Sequence, residues 1–334
     1  MNDLHPIHRT NLLAKGVRVS APARLHMGFF DLNGGLGRRF GSLGVCIDYP
    51  VTELRAWRTA DGFTAEGPSA ERAIKIAHQL AQALDIRQGM HILLDKVIPE
   101  HAGLGAGTQM SLAVGLAMSK LYGLDLSVKD VALLTQRGAR SGIGLGTFAQ
   151  GGVVMDGGRG SRSDVPPVIA RADFPEAWRI ILMFDQASSG VHGEAETEAF
   201  KTLPEFPAEV AAILCRHVLM QALPALAEQD LPTFGAAIRE LQVHTGDYFA
   251  PVQGGRYASR RVAEALNWLD TEGVSCFGQS SWGPTGFAIF ENESRAQEYL
   301  QALRPRFANL DFVMCRGRNQ GGSLCDISNE HDRE

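Results

Sequence analysis

Three glycines, Gly103, Gly105 and Gly107, alternate with Leu104 and Ala106 and run into Thr108, where a helix-forming stretch begins. Glycine has no Cβ to hold a ligand away, so amide N–H groups in such a loop can turn toward an oxyanion. The first turn of the following helix adds unpaired donors and the positive end of its dipole. The chemistry offered is phosphate binding, with the Thr108 hydroxyl beside the amides; the same loop taken alone also suits close helix–strand packing. Asp31 stands between an apolar strand and a glycine-rich turn, placed either to bind Mg²⁺ or face a developing cation, or to make an Asx turn before Asn33-Gly34. Arg38, seven residues on, and Arg39 suit bidentate contact with phosphate. Arg24 and His26 occupy alternate positions of a strand, hence one face, and suit a carboxylate or a phosphate. A second glycine cluster carries Ser141, Gly142 and Gly144 as a possible extension of the anion site. Near the C-terminus Gln279, Ser280, Ser281 and Gly283 gather at a turn with Trp282, which is equally suited to an aromatic ligand or to the core. His101 and His192 are further candidates to line a site.

The elements that must hold these residues follow from periodicity. Val17–Val19 opens a strand that enters a glycine-rich excursion and returns at Ser42–Asp48, and Thr52–Trp57 and Gly62–Ala65 continue as an antiparallel meander. From Ser69 the period lengthens, with Ala73, Ile76, Ala77, Leu80 and Leu84 on one helical face. Met90–Val97 alternates as a strand and delivers the chain into the glycine loop. The helix after it is apolar on nearly every face, stops at Gly123, and is followed by a Ser127/Asp130 capping box and a helix through Ala139. Arg140–Gly158 reads as a glycine cluster ending in the strand Gly151–Asp156. A polar, proline-bearing stretch puts a domain boundary near 160–177, dividing the chain into 1–165 and 178–330. The second half begins with strand Arg179–Phe184, continues through helices at Pro207–Gln229 (kinked at Pro224), Pro232–Val243 and Tyr257–Thr271, and closes with a helix at Asn292–Leu303 and strand Asp311–Cys315.

With 334 residues and 45% hydrophobic content the chain has room for two cores, and no apolar run reads as long enough to cross a bilayer. A net charge of −5 and a pI near 6.1 give no basic footprint for nucleic acid. Five dispersed cysteines without a Cys-x-x-Cys pair indicate neither a disulfide framework nor a zinc site. The N-terminus lacks a secretory pattern, which makes the cytoplasm the expected compartment.

IPEHAGLGAGTQ resembles the glycine-rich phosphate loop of the GHMP superfamily of small-molecule kinases, with Pro99 and Gly103-Leu104-Gly105 at the matching spacing. Ala21-Pro22-Ala23-Arg24-Leu25 resembles the superfamily's N-terminal motif and GQSSWGPTGFAIF its C-terminal one. Ala106-Gly107 replaces the paired serines of those kinases, and Arg24 their usual lysine, which departs from what phosphoryl transfer requires. RLHMGFFDLNGGLGRRFGSLGVCID, HAGLGAGTQMSLAVG, SGIGLGTFAQGGVVMDGG and GQSSWGPTGFA resemble, more narrowly, the β-ribofuranosylaminobenzene 5′-phosphate synthases within that superfamily. The resemblance implies an α+β, two-domain GHMP-kinase-like fold with antiparallel sheets packed against helices. It implies condensation of 5-phosphoribosyl 1-pyrophosphate with 4-aminobenzoate, releasing carbon dioxide and pyrophosphate, in methanopterin biosynthesis and one-carbon metabolism. It also implies Mg²⁺ or a similar divalent cation, a homodimer, and no nucleic-acid or membrane partner. On this match Asp31 and Arg38 are the catalytic candidates. Arg24, His26, Arg39, Gly103, Leu104, Gly105, Ala106, Gly107, Thr108, Ser141, Gly142, Gln279, Ser280, Ser281 and Gly283 are the binding candidates. An ATP-dependent GHMP kinase and a non-catalytic phosphometabolite-binding protein stand as the alternatives.

Overall fold

Val17, Val19, Ala21, Ala23, Leu25 and Met27 are all fully buried, and this period of two makes one long strand, β1 (Gly16–Asp31), of what the sequence suggested was an interrupted segment. Its hairpin partner is β2 (Arg38–Thr59), so the glycine-rich excursion is only a short turn, and Thr52–Trp57 belongs to the same returning strand. Register shifts at Pro22/Arg24 and His26/Gly28 bracket Arg24 and His26. Irregularities of this kind re-aim side chains within a sheet. The computed structural model describes residues 15–188, 190 and 193–327, so the candidate His192 lies outside the described residues.

Next come β3 (Phe63–Glu66), α1 (Ala70–Leu84) and β4 (Gly89–Lys96), and β3 pairs with β4 in parallel, not as the expected antiparallel meander. The physical reason is the intervening helix, since a crossover lets consecutive strands run the same way. Helix α2 (Ala106–Tyr122) is buried on nearly every side, and Gly123 ends it in a left-handed conformation. α3 (Val128–Leu134) carries the expected capping box, Ser127 with Asp130, but ends before Ala139. The second glycine cluster forms a helix, α4 (Ile143–Gln150), where a loop was expected. Glycine disfavours helix, but a Cβ on Gly146 would come within 2.6 Å of Val154 and 2.7 Å of Val168, so its absence lets α4 lie tightly against the sheet. The first half closes with β5 (Val153–Asp156), β6 (Arg159–Gly160) and β7 (Val168–Ala172).

The second half contains β8 (Arg179–Phe184), α5 (Gly193–Thr202), α6 (Ala208–His217), a wide π turn at Val218–Ala222, α7 (Leu223–Glu228), α8 (Leu231–Gln253) and α9 (Arg260–Thr271). It continues with β9 (Cys276–Gln279), β10 (Gly286–Phe290), α10 (Glu293–Arg306), β11 (Asp311–Cys315) and β12 (Ser323–Asp326). β11, β8, β10 and β9 form an antiparallel four-stranded sheet. β12 crosses back to pair with β1, Val17 opposite Asp326, so the chain's end completes the first sheet. Pro224 falls just inside α7, after the π turn, where its missing N–H is harmless. Helix α8 runs well past the expected Val243. The run Ala208–Glu228, mean hydropathy 1.6, has the length and apolarity of a membrane span, which the sequence reading did not find. Leu214, Val218, Ala222 and Leu226 from this run are buried in the same core as Leu25 and Met27 of β1, while Ile213, Leu219 and Met220 are exposed.

The two sheets are tied together beneath the site. Gln242 on α8 donates its side-chain amide to the carbonyls of Met27 (2.6 Å) and Gln279 (3.1 Å) and accepts from the Gln279 N–H (2.7 Å). Buried and fully partnered, this amide fixes β1 against β9.

Candidate active site

The glycine loop, β1 and the C-terminal motif meet at one carbonyl. Ser280 Oγ donates to Gly103 O at 2.7 Å, Arg24 Nη1 donates to the same oxygen, and Arg24 N donates to Leu104 O at 3.2 Å. The His26 N–H donates to Ser280 Oγ (3.0 Å) and Ser281 N–H to His26 O (3.0 Å). Gly103 has φ +73°, and a Cβ there would fall 2.3 Å from Ser280 O and 2.9 Å from Gly283 O, so only glycine fits this crossing. Gly105, φ +86°, precedes the first turn of α2, leaving the helix's first amides facing a cleft of about 340 Å³. Gly105, Ala106, Gly107 and Thr108 line this cleft, with Ser281, Trp282 and Gly283 opposite.

Three guanidinium groups converge on that helix end. Arg24 is expected from sequence; Arg72 on α1 and Arg137 beyond α3 are not. A Cβ added at Gly107 would meet Arg72 Nη2 at 2.6 Å and Arg137 Nη1 at 3.4 Å, so both cations stand over the first turn of α2. Arg72 is steadied by Glu100 at 3.0 Å. Arg137 Nε is buried without a hydrogen-bond partner, and burial, then the neighbouring Arg72, lowers its pKa. Burial also pulls Arg24 down to about 10 despite the field of Glu196, leaving it charged at neutral pH. Like charges gathered in a partly dry cleft are costly without an anion between them, and a phosphorylated ligand supplies one. Neither Arg72 nor Arg137 sits in a glycine motif. The available signal was that α1 and α3 flank the buried helix, which brings polar residues near their ends to its N-terminus.

Beside the cradle a narrow slot is lined by His26, Phe29, Phe249, Gln253, Gln279 and Trp282. Trp282 and Ser281 belong to both spaces. The Trp282 and Phe249 ring centroids lie 4.0 Å apart, and His26 meets the Phe29 ring edge-on at 4.6 Å. His26 is 3% exposed, both its ring nitrogens lack partners, and burial followed by Arg24 lowers its pKa to about 3. It is therefore a neutral imidazole. Gln279 is held by the Ala258 N–H (2.7 Å) and leans its amide toward Ser281 O (3.2 Å). His101, at φ +57°, lines both the cleft and a second cavity behind the loop.

Other expected residues are placed elsewhere. Asp31 lies seven strand positions, about 20 Å along β1, from Arg24, and its carboxylate accepts from the Asn33 (3.0 Å) and Gly34 (2.9 Å) amides in the Asx turn weighed above. Arg38 donates to the carbonyls of Gly157 (2.7 Å) and Gly158 (2.8 Å), and Arg39 to Leu32 O (2.8 Å). Neither arginine lines the cleft, because the hairpin carries them to the end opposite Arg24. Ser141 and Gly142 serve an internal anion, the buried Asp156, whose carboxylate accepts from Ser42, Ser141 (3.3 Å), Gly142 N–H (2.9 Å) and Gly158 N–H (2.9 Å). Gly144 adjoins the cradle through packing on Thr108 and by accepting from the Gln109 side-chain amide at 2.8 Å. Among the described residues no three His, Cys, Asp or Glu side chains group as a metal cage. The cleft's side-chain donors, the Thr108 and Ser281 hydroxyls, His101 and one carboxylate, Glu196, suit a largely hydrated magnesium ion carried in on a ligand better than a resident metal.

Comparison with known proteins agrees with this architecture. The GHMP kinases N terminal domain family matches residues 71–167 and the GHMP kinases C terminal family residues 222–309. Beta-ribofuranosylphenol 5′-phosphate synthase of Archaeoglobus fulgidus is 34% identical, over 91% of this chain and 98% of its own. The protein of that name from Methanothermobacter thermautotrophicus is 29% identical, over 92% and 98%. Among solved structures, homoserine kinase from Cytophaga hutchinsonii superposes with a TM-score of 0.67 at 19% identity, covering 95% of this chain and 100% of that one. The relatives' name places a phenol where the sequence resemblance implied an aminobenzene. The chain belongs to the GHMP kinase superfamily, as a two-domain α+β member of its beta-ribofuranosylphenol 5′-phosphate synthase family.

Proposed function

We propose that this protein joins the ribosyl group of 5-phosphoribosyl 1-pyrophosphate to the ring carbon that bears the carboxylate of a 4-hydroxy- or 4-aminobenzoate. The observation that carries the reading is the arginine-lined cradle over the first turn of α2, in a cleft whose facing wall is Ser281 and Trp282. A kinase needs hydroxyls and charge on the transferred phosphoryl. Ala106-Gly107 at the helix start supplies no hydroxyl, while the cradle keeps its anion-binding amides.

In this reading the α2 amides with Arg72 and Arg137 hold the diphosphate, and Arg24, on the wall of the cleft, faces the acid's carboxylate. The C1–oxygen bond of the ribose breaks and its electron pair departs with pyrophosphate. The charge gathering on the leaving group is met by preorganised donors. The para oxygen or nitrogen pushes its lone pair into the ring, whose carboxylate-bearing carbon forms the new bond to C1. Carbon dioxide then leaves, its bonding pair restoring aromaticity and neutralising the para substituent. Magnesium on the diphosphate adds positive charge to the leaving group. The ring's place is in the cleft beside Trp282, since the slot behind that side chain, about 20 Å³, is filled by its own aromatic rings. The finer assignments belong to the same proposal: a cytoplasmic homodimer in methanopterin biosynthesis, with halves 1–165 and 178–330 meeting at the site.

The test is release of labelled carbon dioxide from carboxyl-labelled 4-hydroxybenzoate and 4-aminobenzoate, each with phosphoribosyl pyrophosphate and Mg²⁺. Release dependent on all three, with equimolar pyrophosphate, is the expected result, and the acid with the higher kcat/KM identifies the para group. Phosphorylation of a small molecule by ATP without such release would replace this reading with a kinase. Saturable phosphoribosyl pyrophosphate binding with no turnover would replace it with a binding protein.

A further inference from the structure

Among the described residues that line the phosphate cleft there is one acidic side chain, Glu196 on α5. Its placement is determined from two sides: Trp282 Nε1 donates to Glu196 Oε1 at 3.0 Å, and Arg140 pairs with the same oxygen. Both partners rest on one ring, with Arg140 over Phe200 at 5.4 Å and the Phe200 and Trp282 centroids 5.7 Å apart. The side chain keeps 24% of its surface accessible, so the carboxylate faces the cleft and is not sealed into the core. It therefore sits where cradle and slot adjoin, within the field of Arg24 and hydrogen-bonded to the tryptophan that walls both spaces.

A carboxylate in a cleft built from arginines and helix amides, even one paired with Arg140, weakens the cleft's hold on a diphosphate, and it gains a use if a positive charge arises beside it during reaction. One does in the proposed reaction, on which this inference rests: as the leaving group departs, C1 and the ring oxygen of the ribose become cationic. We infer that Glu196 is a catalytic residue that faces the ribose and stabilises this developing charge, the role for which the sequence had offered Asp31. Arg140 and Trp282 are positioning residues that hold the carboxylate in place. The benefit exists only in the transition state, since the ground-state ribose is neutral, so its loss belongs in kcat rather than in substrate affinity.

Glu196→Gln keeps the shape and leaves an oxygen to accept from Trp282 while removing the charge. The expected result is a kcat about 100-fold lower, with the KM for phosphoribosyl pyrophosphate and the Mg²⁺ concentration for half-maximal rate both within about threefold of wild type. Glu196→Asp, which retains the charge farther back, recovers part of the rate. A tritium label at ribose C1 gives a secondary isotope effect that changes in Glu196→Gln, a readout a purely structural residue would not move. A kcat within threefold of wild type in the folded variant overturns the inference, and so does a tenfold or greater rise in Mg²⁺ requirement, which would make Glu196 a metal ligand instead. Both outcomes leave the synthase reading standing. Wild-type enzyme that consumes no phosphoribosyl pyrophosphate would remove the reading and this role together.

Discussion

Alanine at Gly103 and alanine at Gly107 should have opposite consequences, although both residues belong to the same three-glycine loop. At Gly103 the new methyl would stand 2.3 Å from one carbonyl oxygen and 2.9 Å from another, both backbone, at φ +73°. Ordinary contact requires about 1 Å more, and the oxygens belong to the tight turn that ties β9 to β10. The left-handed backbone costs a non-glycine residue about 1–2 kcal/mol and forced overpacking about 1–3 kcal/mol, so Gly103→Ala should destabilise by about 3 kcal/mol. That lowers Tm by about 4 °C in thermal unfolding of a chain this long, and a loop displaced by about 1 Å should lose roughly 100-fold in kcat/KM. At Gly107 the methyl meets only side-chain ends, Arg72 at 2.6 Å and Arg137 at 3.4 Å, inside a helix where alanine is about 1 kcal/mol better than glycine. Gly107→Ala should hold or raise Tm while displacing one cation from the cradle, so its defect should be in KM. A Gly103→Ala variant with wild-type melting and turnover would refute this account of how the three motifs interlock.

Arg72→Ala and Arg137→Ala should each raise the KM for phosphoribosyl pyrophosphate about tenfold or more with a smaller effect on kcat; unchanged KM in both would remove the cradle from the diphosphate. Asp31→Ala and Arg38→Ala should leave kcat within about threefold and lower stability by about 1–2 kcal/mol, because their polar atoms hold turns of the hairpin; a collapse of kcat with normal melting would restore them to the reaction. His26 is held neutral, with its pKa lowered from 6.5 to about 3, so the unfolded chain takes up this proton first as pH falls. Its contribution to stability is complete above about pH 6.5 and is lost toward pH 3, amounting to about 2 kcal/mol between pH 7 and 5. Urea unfolding of wild type and His26→Asn across that range should show a steeper acid loss in the wild type, and parallel curves would contradict it.

Local patterns carried much of the fold. The alternation of Val17, Val19 and Ala21, the period of Ala73, Ile76 and Leu80, and the Ser127/Asp130 cap each act over a few residues, within reach of the backbone's own periodicities. The α4 helix escaped because its glycines argue against helix locally, and what overrides them, close packing on Val154 and Val168, lies elsewhere in the chain. The parallel pairing of β3 with β4 escaped for a related reason, since strand direction is set by the crossover between strands and not by either strand's composition.

The site divides along the same line. The glycine loop, Arg24 and the Ser280–Gly283 turn were legible because their chemistry is written in adjacent residues: missing Cβ atoms, a helix start, a polar turn. Asp31 and Arg38 looked equally apt, yet their sequence spacing described only a hairpin end, whose groups are satisfied locally. Arg72 on α1, Arg137 just beyond α3 and Glu196 on α5 come from three separate segments, and they acquire meaning only where packing brings those segments to the N-terminus of α2. Sequence by itself determined a loop whose glycine amides can face an oxyanion, because that depends on backbone geometry within one turn. Which charges face that loop was decided by tertiary structure, because Coulomb interactions depend on distance in space, and only the packed helices fix that distance.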